Sequence, residues 1–277
     1  MVTMTLDPIT ELILGLWGDI KTCKSTLSLT FPKPLFHLDF DLGFQRAKPT
    51  IPPGVTVLEV PWGTRLTASM LSQADIVTKT YRIPIRFPKQ PIRGVLELWE
   101  GEVMPDIIMA MEAPHIKSIV YDTGTVMWRL ATDAHLQRAQ TGSSATRTSL
   151  IQIEYAQPNQ ESRAVISAPR HYGKNLCITH HIGGKYENRI SAKSSTGYES
   201  VRIGDTWDGW NHLGAIADVI VKTYIQETVV VGGVTKAPAA RIETCGYTLA
   251  AEGLDLVTPS FDMILNIINQ LRGQPIT

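Results

Sequence analysis

Gly18-Asp19-Ile20-Lys21-Thr22-Cys23-Lys24-Ser25-Thr26 follows the apolar run Leu12-Ile13-Leu14-Gly15-Leu16-Trp17 and precedes Leu27-Ser28-Leu29. Strand, turn and helix start are the context of a phosphate-binding loop, whose template is Gly, four residues, Gly, Lys, then Ser or Thr. In such a loop, backbone N–H groups and the positive end of a helix cradle phosphates, the lysine neutralises charge and the hydroxyl ligates Mg²⁺. Every position is filled but one. Cys23 stands where the second glycine is expected, and a side chain there strains a turn that glycine makes freely; at a helix start beside Lys24 and close to Lys21, its thiol pKa is expected to lie below the ordinary value. Gly-x5-Lys-Ser also arises by chance, and the plain alternative is an ordinary strand-to-helix turn. The weight of the reading therefore falls on what lies downstream.

Pro34 restarts the chain into Leu35-Phe36-His37-Leu38-Asp39-Phe40-Asp41, which reads as a second parallel strand ending in two carboxylates. Ligands of open α/β sheets bind off the carboxyl ends of strands, which sets Asp39 and Asp41 beside the phosphates; one of them would polarise the attacking water. Ile116 to Thr123 is a further apolar strand ending in Asp122, expected to face solvent, where a carboxylate would hold Mg²⁺ or its water. Asn175 to His181 is another buried strand, with His180 and His181 at its carboxyl end. A zinc site of His171, Cys177, His180 and His181 is disfavoured, because adjacent strand residues face opposite ways. One of the two histidines reads better as a sensor at the γ-phosphate.

Elsewhere the pattern is coarser. Val55 to Val60 is β-rich, Thr64 to Lys79 is expected to be helical, and Tyr81 to Phe87 alternates as an edge strand interrupted by Pro84. Together they form an elaboration of the sheet at about residues 50–95. Apolar spacing predicts helices over Leu96 to Met111, from Met127 to Ala134, over Glu161 to Tyr172 and over Pro259 to Leu271. Gln140 to Arg147 reads as a loop. Gly183 to Ala217 is expected to lack regular structure; it carries Lys185, Arg189, Lys193 and Arg202 among Tyr186, Tyr198, Trp207 and Trp210, a mixture suited to single-stranded nucleic acid or to a plain surface loop. Ala217 to Tyr224 and Arg241 to Tyr247 read as strands joined by a turn at Gly232 and Gly233.

A chain of 277 residues, 43% hydrophobic, can bury a sizeable core. Lys plus Arg and Asp plus Glu number 26 each, so nucleic acid would have to meet a local patch. Three widely spaced cysteines argue against a disulfide framework and for a reducing compartment, read as the cytosol. The absence of a leader and of a long apolar run is read as excluding secretion and membrane spanning.

The order of these pieces resembles the RecA-type ATPase core, and more closely the small phage-type RecA-like and AAA ATPases that include single-strand annealing proteins. The resemblance rests on Gly18 to Thr26, Pro34 to Gly43, Ser118 to Thr125, Lys174 to His181, Ala217 to Tyr224 and Arg241 to Tyr247. It implies one α/β RecA-like P-loop NTPase domain over residues 1–277, with a mainly parallel central sheet flanked by helices. It implies ATP and Mg²⁺ as cofactors, bound by Gly18, Asp19, Ile20, Lys21, Thr22, Cys23, Lys24, Ser25 and Thr26. Lys24 would meet the β- and γ-phosphates, and Ser25 and Asp122 would hold Mg²⁺. Asp41 would be the water-activating acid, shorter than the Glu usual in RecA, and His180 and His181 would be the polar sensors. Lys185, Tyr186, Arg189, Lys193 and Arg202 would fall in a DNA-binding loop. The implied partners are single-stranded DNA and further copies of the chain, with room for a single-strand binding protein. The implied activity is ATP hydrolysis in recombination or strand annealing, and the implied setting is the cytoplasm of a bacterial or phage-infected host cell. The rivals are a nucleotide-gated scaffold with little turnover, which Cys23 keeps open, and a small-molecule kinase.

Overall fold

The computed structural model describes residues 7–87, 90–141, 146–190, 198–230 and 233–272. Its centre is β1 (Ile13–Gly18), buried at every residue. A strand covered on both faces reads as a continuous apolar run, which is what Ile13-Leu14-Gly15-Leu16-Trp17 supplies. Parallel to β1 on one side runs β6 (Asn175–Ile190), and on the other β8 (Val219–Val230). The parallel ladder continues from β6 through β5 (Ser118–Asp122), β2 (Leu35–Asp39) and β4 (Ile76–Thr80) to β3 (Val57–Val60) at the edge. Beyond β8 the sheet turns antiparallel with β9 (Gly233–Cys245) and β10 (Asp255–Val257).

Alternation along each strand builds two cores. Ile13 and Trp17, Phe36 and Leu38, Ile119 and Tyr121, and Leu176 and Ile178 face one core. Leu14 and Leu16, Leu35, Val120 and Cys177 face the other. The first is covered by α4 (Val95–Leu98), a π-helical turn (Trp99–Val103), α5 (Met104–Glu112), α6 (Gly124–Ala139) and α7 (Ala156–His171). The second is covered by α1 (Lys24–Ser28), α2 (Gly43–Ala47) and α8 (Phe261–Leu271), whose Phe261, Ile264 and Ile268 are buried. The fold is therefore α/β, a mostly parallel sheet with helices on both faces. No helix among the described residues is long and apolar enough to cross a membrane.

Three expectations fail here. Thr64 to Lys79 is not one helix: α3 (Ala68–Leu71) makes a single turn, capped by the Thr67 hydroxyl, and the chain then enters β4. Ile76-Val77-Thr78 is β-branched, and pairing with β2 and β3 on either side decides in favour of a central strand. Tyr81 to Phe87 forms no strand, and the edge belongs to β3. Gly183 to Ala217 is not irregular. β6 runs through Gly183 and Gly184 to Ile190 and pairs antiparallel with β7 (Tyr198–Asp208), a two-stranded arm with a bulge between Lys185 and Tyr186. Glycine is tolerated in these strands because a bulge and exposed faces ask little of side-chain packing. Gly232, and residues 142–145 of the Gln140 to Arg147 loop, lie outside the described residues.

β4 and α5 share a buried charge cluster. Lys79 Nζ donates to Asp106 Oδ2 at 2.6 Å, and Tyr81 Oη donates to the same oxygen at 2.7 Å. Lys79 is 1% exposed and Asp106 3%. Asp106→Ala takes the hydrogen-bonded carboxylate from a buried ammonium and leaves it Glu102, 3.4 Å away, so it is expected to cost about 1.5–3 kcal/mol of unfolding free energy. Denaturant titration measures it, and a loss below ~1 kcal/mol would show the cluster to be structurally idle.

Candidate nucleotide site

At the carboxyl end of β1 the loop is drawn tight by close contacts. Gly18 lies opposite Thr223 of β8 at positive φ, 152°, and a Cβ on it would fall 2.2 Å from the Thr223 carbonyl oxygen, so only glycine fits. The Thr22 hydroxyl donates to Asp19 O at 2.7 Å and lies the same distance from the Thr223 hydroxyl. Lys24 Nζ donates to the carbonyl oxygens of Gly18 (2.9 Å) and Asp19 (2.7 Å), which curls its side chain over the loop. Burial lowers the Lys24 pKa, opposed by the charges of Asp122, Asp41 and Asp19.

Cys23 adopts φ 65° and ψ 25°, the left-handed conformation that the template glycine would take without cost. The sequence suggests that Lys24 and Lys21 depress the Cys23 thiol, and the structure reverses this. Burial pushes the thiol above its ordinary value, and the nearby Lys24 charge only partly offsets it.

Strand register then gathers the acids. Asp39 of β2 lies opposite Asp122 of β5, and Asp122 opposite Thr179 of β6, so three polar residues form a row. Asp122 is 1% exposed, not solvent-facing as expected from a strand end. Burial is the largest single influence and would raise its pKa, yet His37, Ser25 and Thr179 together hold it below the usual carboxylate range. Thr179 Oγ1 donates to Asp122 Oδ1. His37 Nε2 stands 3.5 Å from Asp122 Oδ2, an ion-pair distance without hydrogen-bond geometry, while its Nδ1 meets the Thr78 hydroxyl at 3.0 Å. Asp39 is raised by burial and by the Asp122 and Asp41 charges, against the opposing His37 and the Gly43 N–H. That N–H donates to Asp39 Oδ1 at 2.9 Å and fixes the turn into α2.

Asp41 lies just past β2, its Oδ2 3.2 Å from His181 Nε2 and its Oδ1 3.7 Å from Arg46 Nη2. Among the described residues, Asp39, Asp41 and Asp122 are the one group whose ligating oxygens converge, all within 4.8 Å of one another. The His171, Cys177, His180 and His181 set does not converge. A cavity of about 460 Å³, within the range of ligand pockets, opens over these groups. Its walls are Gly18, residues 20–26, Asp41, Gly43, Arg46, Asp122, His181, Ile182 and Asp208 among others.

His180 is the site residue that the structure removes from the cavity. It points the other way from His181, is 2% exposed, and its Nδ1–H donates to Asp208 O at 3.1 Å. Burial lowers its pKa to about 4. Of the pair, only His181 faces the phosphate-binding loop. Lys185, Tyr186, Arg189 and Arg202 stand exposed on the β6–β7 arm, and Lys193 lies outside the described residues. Trp210 is buried in the body and Trp207 packs against the same core, as a plain surface segment would have them. Sequence reasoning missed His37, Gly43, Arg46, Thr179 and Asp208. The alternation His37, Asp39 on β2 carried a signal for the first; the others depend on register and on the arm's return strand.

The model of a family described as AAA domain matches residues 10–267. No curated protein matches the sequence. Among the solved structures to which the chain is similar are two at 10% identity. One is a KaiC-like protein from the hyperthermophilic archaeon Pyrococcus horikoshii OT3, with a TM-score of 0.43 over 88% of this chain and 83% of that one. The other is the RadB recombinase, with a TM-score of 0.39 over 89% of this chain and 86% of that one.

Because its thiol pKa is raised, Cys23 holds less thiolate at neutral pH than a free thiol does, and thiolate is the reactive form. Iodoacetamide is therefore expected to alkylate it more slowly than it alkylates a small free thiol at the same pH, with Cys177 and Cys245 slower still because both are buried. Mass-spectrometric labelling rates test this. A Cys23 rate above that of the free thiol would show that the lysines outweigh burial.

Proposed function

The chain belongs to the AAA domain family, whose members are in general P-loop ATPases, and on that premise we propose that it binds ATP with Mg²⁺ and hydrolyses it in work on single-stranded DNA, in recombination or strand annealing. The observation that carries the nucleotide reading is the cavity itself: the phosphate-binding loop, Lys24, the Asp122 strand end and Asp41 face one space.

The donor set suits a hard cation. Asp122 Oδ2 and Asp41 Oδ1 are buried without a hydrogen-bond partner. A Cβ on Gly43 would fall 2.5 Å from the first and 3.0 Å from the second, and 2.8 Å from Ser25 Oγ, so the three oxygens face one spot that glycine leaves open. Ser25 and Asp122, with Asp41, would hold Mg²⁺, which when bound neutralises phosphate charge. The chain's own groups do the rest. Residues 18–26 cradle the phosphates, and Lys24 exchanges its two carbonyl partners for β- and γ-phosphate oxygens. Asp41 accepts a hydrogen bond from the attacking water, and His181 fixes the carboxylate through Oδ2. Catalysis of this kind is positioning and charge neutralisation, without a covalent intermediate.

The β6–β7 arm supports the DNA reading. Tyr186 pairs with Arg202 and Ile190 with Tyr198, so these residues share one face, while Glu187 and Arg189 share the other. Tyr186 is 60% exposed. Among the described residues, Arg189 pairs with the exposed Glu187, and Arg202 with the exposed Asp205 and, at 3.4 Å, the Gly204 carbonyl, surface contacts too weak to withhold them from phosphates. The root of the arm, the His181 and Asp208 pair, lines the nucleotide cavity, which is the physical basis for hydrolysis that depends on DNA. Self-assembly, a reducing cytoplasmic setting and a single-strand binding partner belong to the same reading. The left-handed Cys23 favours one rival, a nucleotide-gated scaffold with little turnover, which ATPase rates with and without single-stranded DNA separate.

Lys24→Ala is expected to cut ATP turnover by roughly 10²-fold or more, since it removes the loop's cation; wild-type affinity and rate in a malachite-green assay would remove the loop from the site. Replacing Lys185, Arg189 and Arg202 together by Ala is expected to weaken binding to single-stranded DNA and to lower its salt slope by ~0.7 per lost contact, with ATP binding intact. Unaltered DNA affinity and slope in fluorescence anisotropy would leave the arm a plain surface element.

A further inference from the structure

P-loop proteins usually take Mg²⁺ together with the nucleotide, the protein giving one hydroxyl and one carboxylate. Here the protein's contribution is larger. We propose that the site binds a divalent cation on its own, before nucleotide, through Asp122, Asp41 and Ser25, with Gly43 as the residue that keeps the space open. The proposal rests on the nucleotide reading only in sharing its site.

Three independent features lead to it. Asp122 is almost wholly buried, and its Oδ2 makes no hydrogen bond, with His37 Nε2 standing 3.5 Å away. The Lys24 Nζ is taken up by the Gly18 and Asp19 carbonyls. Asp41 Oδ1 is likewise buried and makes no hydrogen bond, with Arg46 Nη2 3.7 Å away, and Asp39 adds a third carboxylate within 4.8 Å. The oxygens of Asp39 are engaged by the Gly43 N–H and the Thr80 hydroxyl, so it supplies charge more than a lone pair. Lastly, the free oxygens come from three separate segments and converge at the flank of Gly43. The φ of Gly43 does not demand glycine, so the missing Cβ is a matter of room.

Hard cations take oxygen ligands of this kind, and mutually repelling carboxylates gain most from a divalent charge between them. Asp41 then turns Oδ1 toward the ion and Oδ2 toward His181. Holding the cation first would also lower the repulsion that an incoming polyphosphate meets from three carboxylates.

Mn²⁺ titrated into the nucleotide-free full-length protein, followed by the loss of its free-ion electron paramagnetic resonance signal, tests this. The expected result is one ion per chain. Affinity should fall about tenfold or more in Gly43→Ala and in Asp41→Asn, each a loss of one ligand or of its space. Lys24→Ala should bind Mn²⁺ at least as well as the wild type, although it loses nucleotide. Circular dichroism of each variant separates lost binding from lost folding, and stabilisation of the wild type by Mn²⁺ alone gives a second readout. No uptake by folded wild-type protein up to about 1 mM, the weak end of oxygen-built sites, would overturn the proposal. Uptake indifferent to both Gly43→Ala and Asp41→Asn would overturn it as well. Uptake that appears only with ATP would overturn it while leaving the nucleotide reading intact, and failure of ATP to bind a protein that takes Mn²⁺ would sink the nucleotide reading alone.

Discussion

Two unit charges 4.8 Å apart repel by roughly 3–4 kcal/mol at the effective dielectric of a protein near its surface, and this chain gathers three carboxylates within that distance. Such crowding would unsettle a mobile region. Here two of the carboxylates are carried on parallel strands whose register is fixed by the sheet, Asp39 opposite Asp122 and Asp122 opposite Thr179, and Asp41 lies just past the end of β2. The strands can stay in register because both of their faces are buried, so a slip of one residue would exchange the two cores. His37 and Thr179 then lower the cost of keeping Asp122 ionised in the interior. Much of the architecture on the α2 side of β1 thus serves to hold negative charge where phosphate and cation would meet.

Close approach likewise explains two positions that lack a side chain. Gly18 is required because β8 passes too close for a Cβ, and Gly43 because the carboxylates and Ser25 point at the space a Cβ would take. Cys23 stands in the left-handed conformation that its template glycine would make freely. An L-residue there costs on the order of 1–2 kcal/mol, which the surrounding loop contacts must offset. The Lys24 contacts to the Gly18 and Asp19 carbonyls hold the loop in this fold, and burial within it raises the thiol's pKa.

What the sequence revealed, it revealed locally. The β1 strand, the loop and the strand ending in Asp122 were legible because each is a contiguous signal: an apolar run, a motif, a terminal acid. β4 was not, because Ile76 to Thr80 becomes a strand only through partners far away in sequence, β2 and β3. The β6–β7 arm was hidden by glycines that usually mark irregular chain, although the exposed basic and aromatic residues on it were seen. His181 and His180 could be named but not told apart, since which of two adjacent residues faces a cavity depends on the twist and register of β6. Gly43 and Arg46 were invisible, for their importance comes from a turn stabilised by Asp39. The Cys23 thiol was misjudged because neighbouring charges can be read from sequence and burial cannot.

The central claim is that the phosphate-binding loop, the acid row and the root of the arm form one nucleotide site. Amide hydrogen exchange, followed by mass spectrometry with and without Mg²⁺ and a slowly hydrolysed ATP analogue, tests it most directly. The account predicts slowed exchange in residues 19–26, 41–46 and 181–182 and at the return of β7 near Asp208, all of which border the same cavity. Unchanged exchange across residues 19–26 at saturating nucleotide, with protection elsewhere or nowhere, would contradict it.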